Sequence, residues 1–341
     1  MQLVMLYTHL AKRLWYNYLD MKPIMQNNMK FNALNQVKTI YMGSPFISKL
    51  VLEGLLEAGL NVIAVITNED KPQGRKNILT PTPVKAFALE KGIPVYTPHR
   101  IRKEHEFLND IECDLILTMA YGQIVPQEVL DHPKVACLNL HGSLLPAYRG
   151  AAPIQRALDN GEKQTGVTLM EMVDKMDAGR MFAKQVIDIE ENENYTSLSL
   201  KIAQASIEVS KAHLLDVLNG DNKGEEQDES LVTFANKILP EDEKLDFAWD
   251  RDTFLHRVQA LSLTPGAYCN LGQDKIKILS AKKDQEGRFG ENGQIIEAKK
   301  RLLVQVNDGL IEILTLLPSG KKEMDARSFC NGRNVLGLKL E

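Results

Sequence analysis

Asn139 and His141 stand two residues apart in and just after an apolar run, residues 135–140, and their types suit chemistry on a carbonyl. A short run of this composition reads as a buried strand, in which alternate side chains share one face. The carboxamide and the imidazole then point into the same crevice. A carboxamide offers N–H donors to an oxygen that gains negative charge. An imidazole titrates near neutrality and can carry a proton during acyl transfer. A third group, Asp177, lies in the later polar turn Asp-Lys-Met-Asp-Ala-Gly, and a carboxylate beside an imidazole orients it and stabilises its cation. Each residue also has a plain structural reading: Asn139 as a satisfied core amide, His141 as a histidine before a glycine, Asp177 as a turn cap. An amide buried without partners would cost about 1–3 kcal/mol. No nucleophile accompanies the trio, because Ser143 lies outside any Gly-x-Ser-x-Gly elbow and Cys137 is expected to point away or lie within the sheet. The arrangement therefore suits attack by an external amine on a bound acyl donor, with no covalent enzyme intermediate.

The elements that must hold these groups follow a βαβ pattern. Residues 37–42 read as a first strand ending in Gly43-Ser44-Pro45, residues 46–58 as a helix with apolar Ile47, Leu50, Val51, Leu55 and Leu56, and residues 61–67 as a second strand. A parallel sheet follows from that order, and its strand carboxyl ends are where open α/β sheets bind ligands. Gly43 has no glycine two residues later, which disfavours a dinucleotide site. Residues 68–83 read as a long polar loop with Lys71, Arg75 and Lys76, either phosphate contacts or merely solvated charges. Helices are expected at 84–91, 102–110, from 154, and at 197–218. Strands are expected at 93–96, 114–119, 135–140, 166–173 and 181–189.

Residues 221–229 hold five acids against one lysine and read as an exposed linker. Beyond it, a helix at 249–260 precedes short alternating runs at 267–271, 275–281, 293–298, 302–306 and 310–317, spaced as in a small barrel of the oligonucleotide-binding type. From residue 231 onward there are 17 basic and 16 acidic residues. Lys275, Lys277, Lys282, Lys283, Lys299, Lys300 and Arg301 either make one face positive or are scattered over a solvated surface. The domain scheme is thus an N-terminal extension at 1–36, a catalytic α/β domain at 37–220, an acidic linker at 221–230 and a barrel domain at 231–341.

The whole chain has a net charge of −4 with 44% apolar and 25% charged residues, ordinary for a globular protein and without a nucleic-acid signature of its own. Its four cysteines, Cys113, Cys137, Cys269 and Cys330, are far apart, which argues against a zinc site or a disulfide framework and fits a reducing compartment. No apolar run approaches the roughly 18 residues of a membrane span. The first 38 residues carry five basic groups and one acid, Asp20. They read either as a transit-like leader or, the favoured reading, as an over-long start, with Met21, Met25 and Met29 as internal initiation sites.

Asn139-Leu-His141, the Gly-Ser-Leu-Leu-Pro that follows, and Tyr148-Arg-Gly-Ala-Ala-Pro-Ile-Gln-Arg156 resemble the methionyl-tRNA formyltransferase family. The resemblance extends over residues 38–336. It includes Thr80-Pro-Thr-Pro-Val-Lys85, Ala120-Tyr-Gly122, Asp177-Ala-Gly179, Thr233-Phe-Ala-Asn-Lys237 and Pro318-Ser-Gly-Lys-Lys322. It implies a Rossmann-like formyltransferase domain followed by an OB-like β-barrel. The reaction implied is transfer of a formyl group from 10-formyltetrahydrofolate to the α-amino group of methionyl initiator tRNA, without a metal. Carried over by position, Asn139 stabilises the oxyanion, His141 shuttles protons, and Asp177 holds His141 and helps place the attacking amine or its water. On the same basis Ser143, Leu144, Leu145 and Pro146 line the folate pocket, the loop with Lys71, Arg75 and Lys76 closes on the acceptor stem, and the barrel contacts tRNA. A bacterial cytoplasmic monomer is the expected context, with the mitochondrial matrix as the alternative if residues 1–36 are a transit peptide.

Three departures bear on tRNA contact more than on chemistry. Pro45 is followed directly by Phe46 where relatives often carry an acid, the loop after Lys76 turns neutral at Asn77 and Ile78, and Leu263-Thr-Pro-Gly-Ala267 replaces an aromatic-proline pair. The rivals are a sugar-nucleotide N-formyltransferase sharing the trio, an inactive RNA-binding module and a deformylating hydrolase. The barrel and Ala151-Ala-Pro-Ile-Gln-Arg156 weigh against the first, the intact trio against the second, and the lack of an obvious N-terminal regulatory domain against the third.

Overall fold

A computed structural model describes residues 30–73 and 77–341. The apolar runs of the first half become strands whose two faces are both covered. β1 (Thr39–Gly43), α1 (Phe46–Glu57) and β2 (Val62–Ile66) form the opening βαβ unit. The segment expected as a loop at 68–83 instead contains a small antiparallel hairpin, β3 (Lys71–Gln73) paired with β4 (Ile78–Thr80). Its polar and proline residues hid a period-2 pattern too short to register. Then come α2 (Pro83–Glu90), β5 (Val95–Tyr96), β6 (Leu115–Met119), α3 (Gln127–Leu130), β7 (Ala136–His141), α4 (Pro153–Asp159), β8 (Gln164–Glu171), β9 (Met181–Asp188) and α5 (Tyr195–Leu218). The helix expected at 102–110 is only a turn and a 3-10 helix, Glu106–Asp110. Leu108 is its one buried residue, so no apolar stripe exists to hold a helix against the sheet.

The sheet runs β5-β2-β1-β6-β7-β8-β9. Its first five strands are parallel, and β8 and β9 add antiparallel edges. Leu138 and Leu140 of β7 join the larger core, which includes Leu52 and Leu55 of α1 and Ile202 and Val209 of α5. Cys137 faces the second core with Ile40, Met42 and Ile116. Strand alternation thus sets Cys137 on the same face as Asn139 and His141, so of the two expectations it lies within the sheet and does not point away. It is still no nucleophile, because burial pushes its thiol well above the ordinary range.

Packing begins ahead of the expected boundary at residue 37. Phe31 is buried, and its backbone N–H and C=O both bond the Asn219 carboxamide just past α5. Residues 1–29 of the expected extension lie outside the described residues. The acidic segment at 221–230 is not a free linker either. Glu225 and Met181 exchange two backbone hydrogen bonds of 2.8 Å, and Gln227 is buried. Its charges signal solvent, yet Glu229 pairs with Arg149 and Lys175 while the Asn222 and Gln227 amides bond backbone carbonyls, contacts that composition does not reveal.

In the second half, Asp250 caps α6 (Arg251–Ala260) by accepting from the Thr253 N–H. β10 (Tyr268–Leu271), β11 (Asp274–Glu286), β12 (Ile295–Ala298), β13 (Leu302–Gln305), β14 (Gly309–Pro318), β15 (Met324–Asp325) and α7 (Ala326–Asn331) complete it. The antiparallel sheet, ordered β10-β11-β14-β13-β12 with β15 on β14, is a half-barrel. The C-terminal residues bond both of its edges: Glu341 and Asn270 exchange hydrogen bonds on β10, and Leu338 accepts from Ile295 on β12. Covering both edges in this way protects unpaired backbone groups. The two halves meet where Arg257 of α6 grips Asp159 at the end of α4 through bonds of 2.6 and 3.0 Å. Among the described residues no helix is long and apolar enough to cross a membrane.

Candidate active site

β7 ends at the crevice with Asn139 beside Thr118 of β6 and Met170 of β8, and with His141 beside Thr168 of β8. Asn139 is half-buried, and its carboxamide bonds no other group among the described residues. The Thr118 hydroxyl next to it is buried and also without a partner. Polar groups left open at a strand end are groups available to a bound molecule.

His141 is buried, with its ring fixed from one side. Nε2 lies 2.9 Å from the Tyr148 carbonyl oxygen. A carbonyl only accepts, so Nε2 carries the hydrogen and the neutral ring keeps its lone pair on Nδ1. Nδ1 faces Asp177 Oδ2 at 3.7 Å, and the same oxygen accepts the Gly150 N–H at 2.8 Å. Asp177 therefore does not tether the neutral ring by a hydrogen bond, as a simple triad would. At 3.7 Å it is within ion-pair distance of a protonated Nδ1. Asp177 itself sits at φ +48°, a left-handed conformation that Asp tolerates better than most residues.

The loop after β7 is braced from within. Ser143 is 1% exposed, its hydroxyl donates to the Ala147 carbonyl at 2.6 Å, and its own carbonyl accepts from the Thr168 hydroxyl at 2.7 Å. Leu145 is 1% exposed and packs with Met170 and Met181. Of the four residues expected to line a folate pocket, Ser143 and Leu145 are committed to the interior, while Leu144 and Pro146 keep accessible surface.

A second layer holds this loop and the Asp177 turn together. Arg149 is 1% exposed: Nε donates to Gln227 Oε1 at 2.9 Å, Nη2 donates to Glu229 at 2.9 Å, and Nη1 is buried without a partner. The Arg149 guanidinium, with Lys175, holds the Glu229 carboxyl below the usual carboxylate range. Gln227 Nε2 donates to the carbonyls of Asp177 and Gly179, both at 2.8 Å. Backbone bonds tie Arg149 to Thr233 and Ala235. Gly150 adopts φ +126°, and a Cβ there would come within 2.7 Å of the Ala235 carbonyl oxygen, so this close approach requires glycine. Sequence reasoning missed Arg149, Gly150, Thr168 and Gln227. The first two stood inside the quoted Tyr148–Arg156 motif without a role of their own, and nothing marked Gln227.

Lys71 is exposed on β3, some distance along the chain from β7, while Arg75 and Lys76 lie outside the described residues. Of the seven basic residues singled out in the second half, three pair with acids. Lys282 pairs with Glu312, Lys283 with Asp252, and Arg301 with both Asp284 and Glu312. Lys275 sits over the Tyr268 ring, 3.4 Å from its centroid, and Lys277 donates to the Pro265 carbonyl. Of the seven, only Lys299 and Lys300 have no partner among the described residues.

A parallel α/β sheet followed by an antiparallel half-barrel is the architecture that the family comparisons assign to the formyl-group transferases. Residues 37–213 match the formyl transferase family, and residues 237–334 match the formyl transferase C-terminal domain. Two curated relatives narrow the class. Methionyl-tRNA formyltransferase of Bacillus licheniformis is 39% identical over 308 residues, covering 89% of this chain and 98% of that protein. The Listeria innocua enzyme of the same name is 43% identical over 298 residues, covering 86% and 95%. The chain belongs to the methionyl-tRNA formyltransferase family. Among solved structures, HypX from Aquifex aeolicus in complex with tetrahydrofolic acid shares the fold, with a TM-score of 0.62 at 20% identity. The match covers 88% of this chain and 48% of HypX, so the chain spans about half of that protein.

Proposed function

We propose that Asn139, His141 and Asp177 carry the transfer of a formyl group from 10-formyltetrahydrofolate to the α-amino group of methionyl initiator tRNA. One observation carries the assignment: a free Asn139 carboxamide and the His141 Nδ1 lone pair share one face of β7, with Asp177 Oδ2 at 3.7 Å from that nitrogen. Asn139 donates N–H to the formyl oxygen as it gains charge under attack by the amine. His141 Nδ1 takes the proton that the attacking amine must lose as its nitrogen bonds to the formyl carbon. Asp177 stabilises the resulting imidazolium, while the Tyr148 carbonyl keeps Nε2–H in place. His141 can then return the proton to the folate nitrogen as the old carbon–nitrogen bond breaks, so charge and atoms balance.

The folate co-substrate meets Leu144, Pro146 and the loop backbone in this reading, with Ser143 and Leu145 shaping that loop from inside. Lys71, Arg75 and Lys76 serve the acceptor stem. We place the enzyme in the bacterial cytoplasm, acting as a monomer. The bacterial sources of the relatives and four unpaired, buried cysteines support that setting.

Steady-state formyl transfer by His141→Ala and Asn139→Ala tests the mechanism. Each variant should lose about 10²–10⁴-fold in kcat, from lost proton transfer or lost oxyanion stabilisation. Near-normal turnover by either would remove that residue from the mechanism.

A further inference from the structure

Asp177 depends on its neighbours for its place. It lies in a turn, in a left-handed conformation, and among the described residues its carboxylate has one hydrogen bond, from the Gly150 N–H at 2.8 Å. Its backbone carbonyl is held from outside its own domain core, by Gln227. That carboxamide is 8% exposed and spends both amide hydrogens on the carbonyls of Asp177 and Gly179, at 2.8 Å each. Its oxygen takes Nε–H of Arg149 at 2.9 Å. Arg149 stands between the two residues whose backbones hold the reacting groups: Tyr148, whose carbonyl fixes His141, and Gly150, whose N–H fixes Asp177. A single amide from the segment joining the two domains therefore touches both loops that set the distance between His141 and Asp177.

We propose that Gln227 is a positioning residue for formyl transfer, setting where Asp177 stands relative to His141. The inference rests on the catalytic reading of Asn139, His141 and Asp177. A separation of 3.7 Å is sensitive to small movements, and a displacement of about 1 Å in such an array costs on the order of 10²-fold in rate. The segment itself does not hang on this side chain. Glu225 is tied to Met181 and residues 233–235 to Arg149 by backbone bonds that a Gln227 variant keeps.

The test uses the full chain and three variants, Gln227→Ala, Gln227→Glu and His141→Ala, with 10-formyltetrahydrofolate and methionyl initiator tRNA as substrates. Gln227→Ala should lower kcat by about 10–100-fold and leave both KM values within roughly twofold, the pattern of a lost transition-state arrangement. Gln227→Glu still accepts from Arg149 but sets a carboxylate against two carbonyls, so it should fail to rescue kcat. It also decides the matter if Gln227→Ala is not folded at the assay temperature. Wild-type kcat in a folded Gln227 variant, or a loss expressed wholly as raised KM, overturns the positioning role. With His141→Ala inactive, that outcome leaves the trio standing and removes Gln227 alone. Normal turnover by His141→Ala instead removes the trio, and the proposal with it.

Discussion

In the proposed mechanism, the direction of proton transfer at His141 follows from one carbonyl. The Tyr148 oxygen claims Nε2–H and leaves Nδ1 as the base, on the side where Asp177 waits. The same short loop supplies the Gly150 N–H that holds Asp177, so the two reacting side chains are placed by adjacent peptide groups. Gly150 is the residue on which that placement turns. Alanine there would carry its Cβ to 2.7 Å from the Ala235 oxygen and would have to hold φ +126°. Gly150→Ala should cost about 1–3 kcal/mol of stability in urea denaturation and lower kcat with it, because the loop must shift away from Asp177. A variant with the stability and turnover of the parent would contradict this account of the loop.

At the level of elements, β7 does most of the positioning. It presents Asn139 and His141 on one face and anchors the sheet through Leu138 and Leu140 on the other. The half-barrel is stabilised partly by charge. Arg301 lies between Asp284 and Glu312, and its hydrogen bonds hold both carboxylates below their usual range. A depressed folded pKa means stability that is present above the unfolded value, near pH 4, and is lost as pH falls through the folded one. Arg301→Ala should therefore be less stable than the parent at pH 7, with the gap closing as the solution is acidified through those depressed values. A gap in urea denaturation that does not change with pH would contradict it. Periodicity made β1, α1, β6, β7 and α5 legible in the sequence, because each buries a full stripe or face. It failed where contacts run through backbone or single polar groups: the hairpin of β3 and β4, the docking of Phe31 on Asn219, the tail along the half-barrel edges and the buried Gln227. Asn139 and His141 were readable from alternation alone. Their distance to Asp177 was not, since the contacts that hold these groups come from Tyr148 and Gly150 in one loop and from Gln227 in a distant segment.

Across the whole molecule, the chain joins two folded halves by a segment that also braces the reacting groups. The halves meet directly as well, where Arg257 grips Asp159 at the end of the helix that begins just beyond the active-site loop. An enzyme acting on a charged tRNA must bring a large substrate's end to a small crevice, and a second domain fixed against the first gives that substrate a wider surface to meet. The most direct test of the account supplies 10-formyltetrahydrofolate labelled in the formyl group, together with a pool of charged tRNAs and an amino-sugar nucleotide. The account predicts label on the α-amino group of methionyl initiator tRNA, and loss of that label with His141→Ala. Label on the sugar amine with none on tRNA would contradict it.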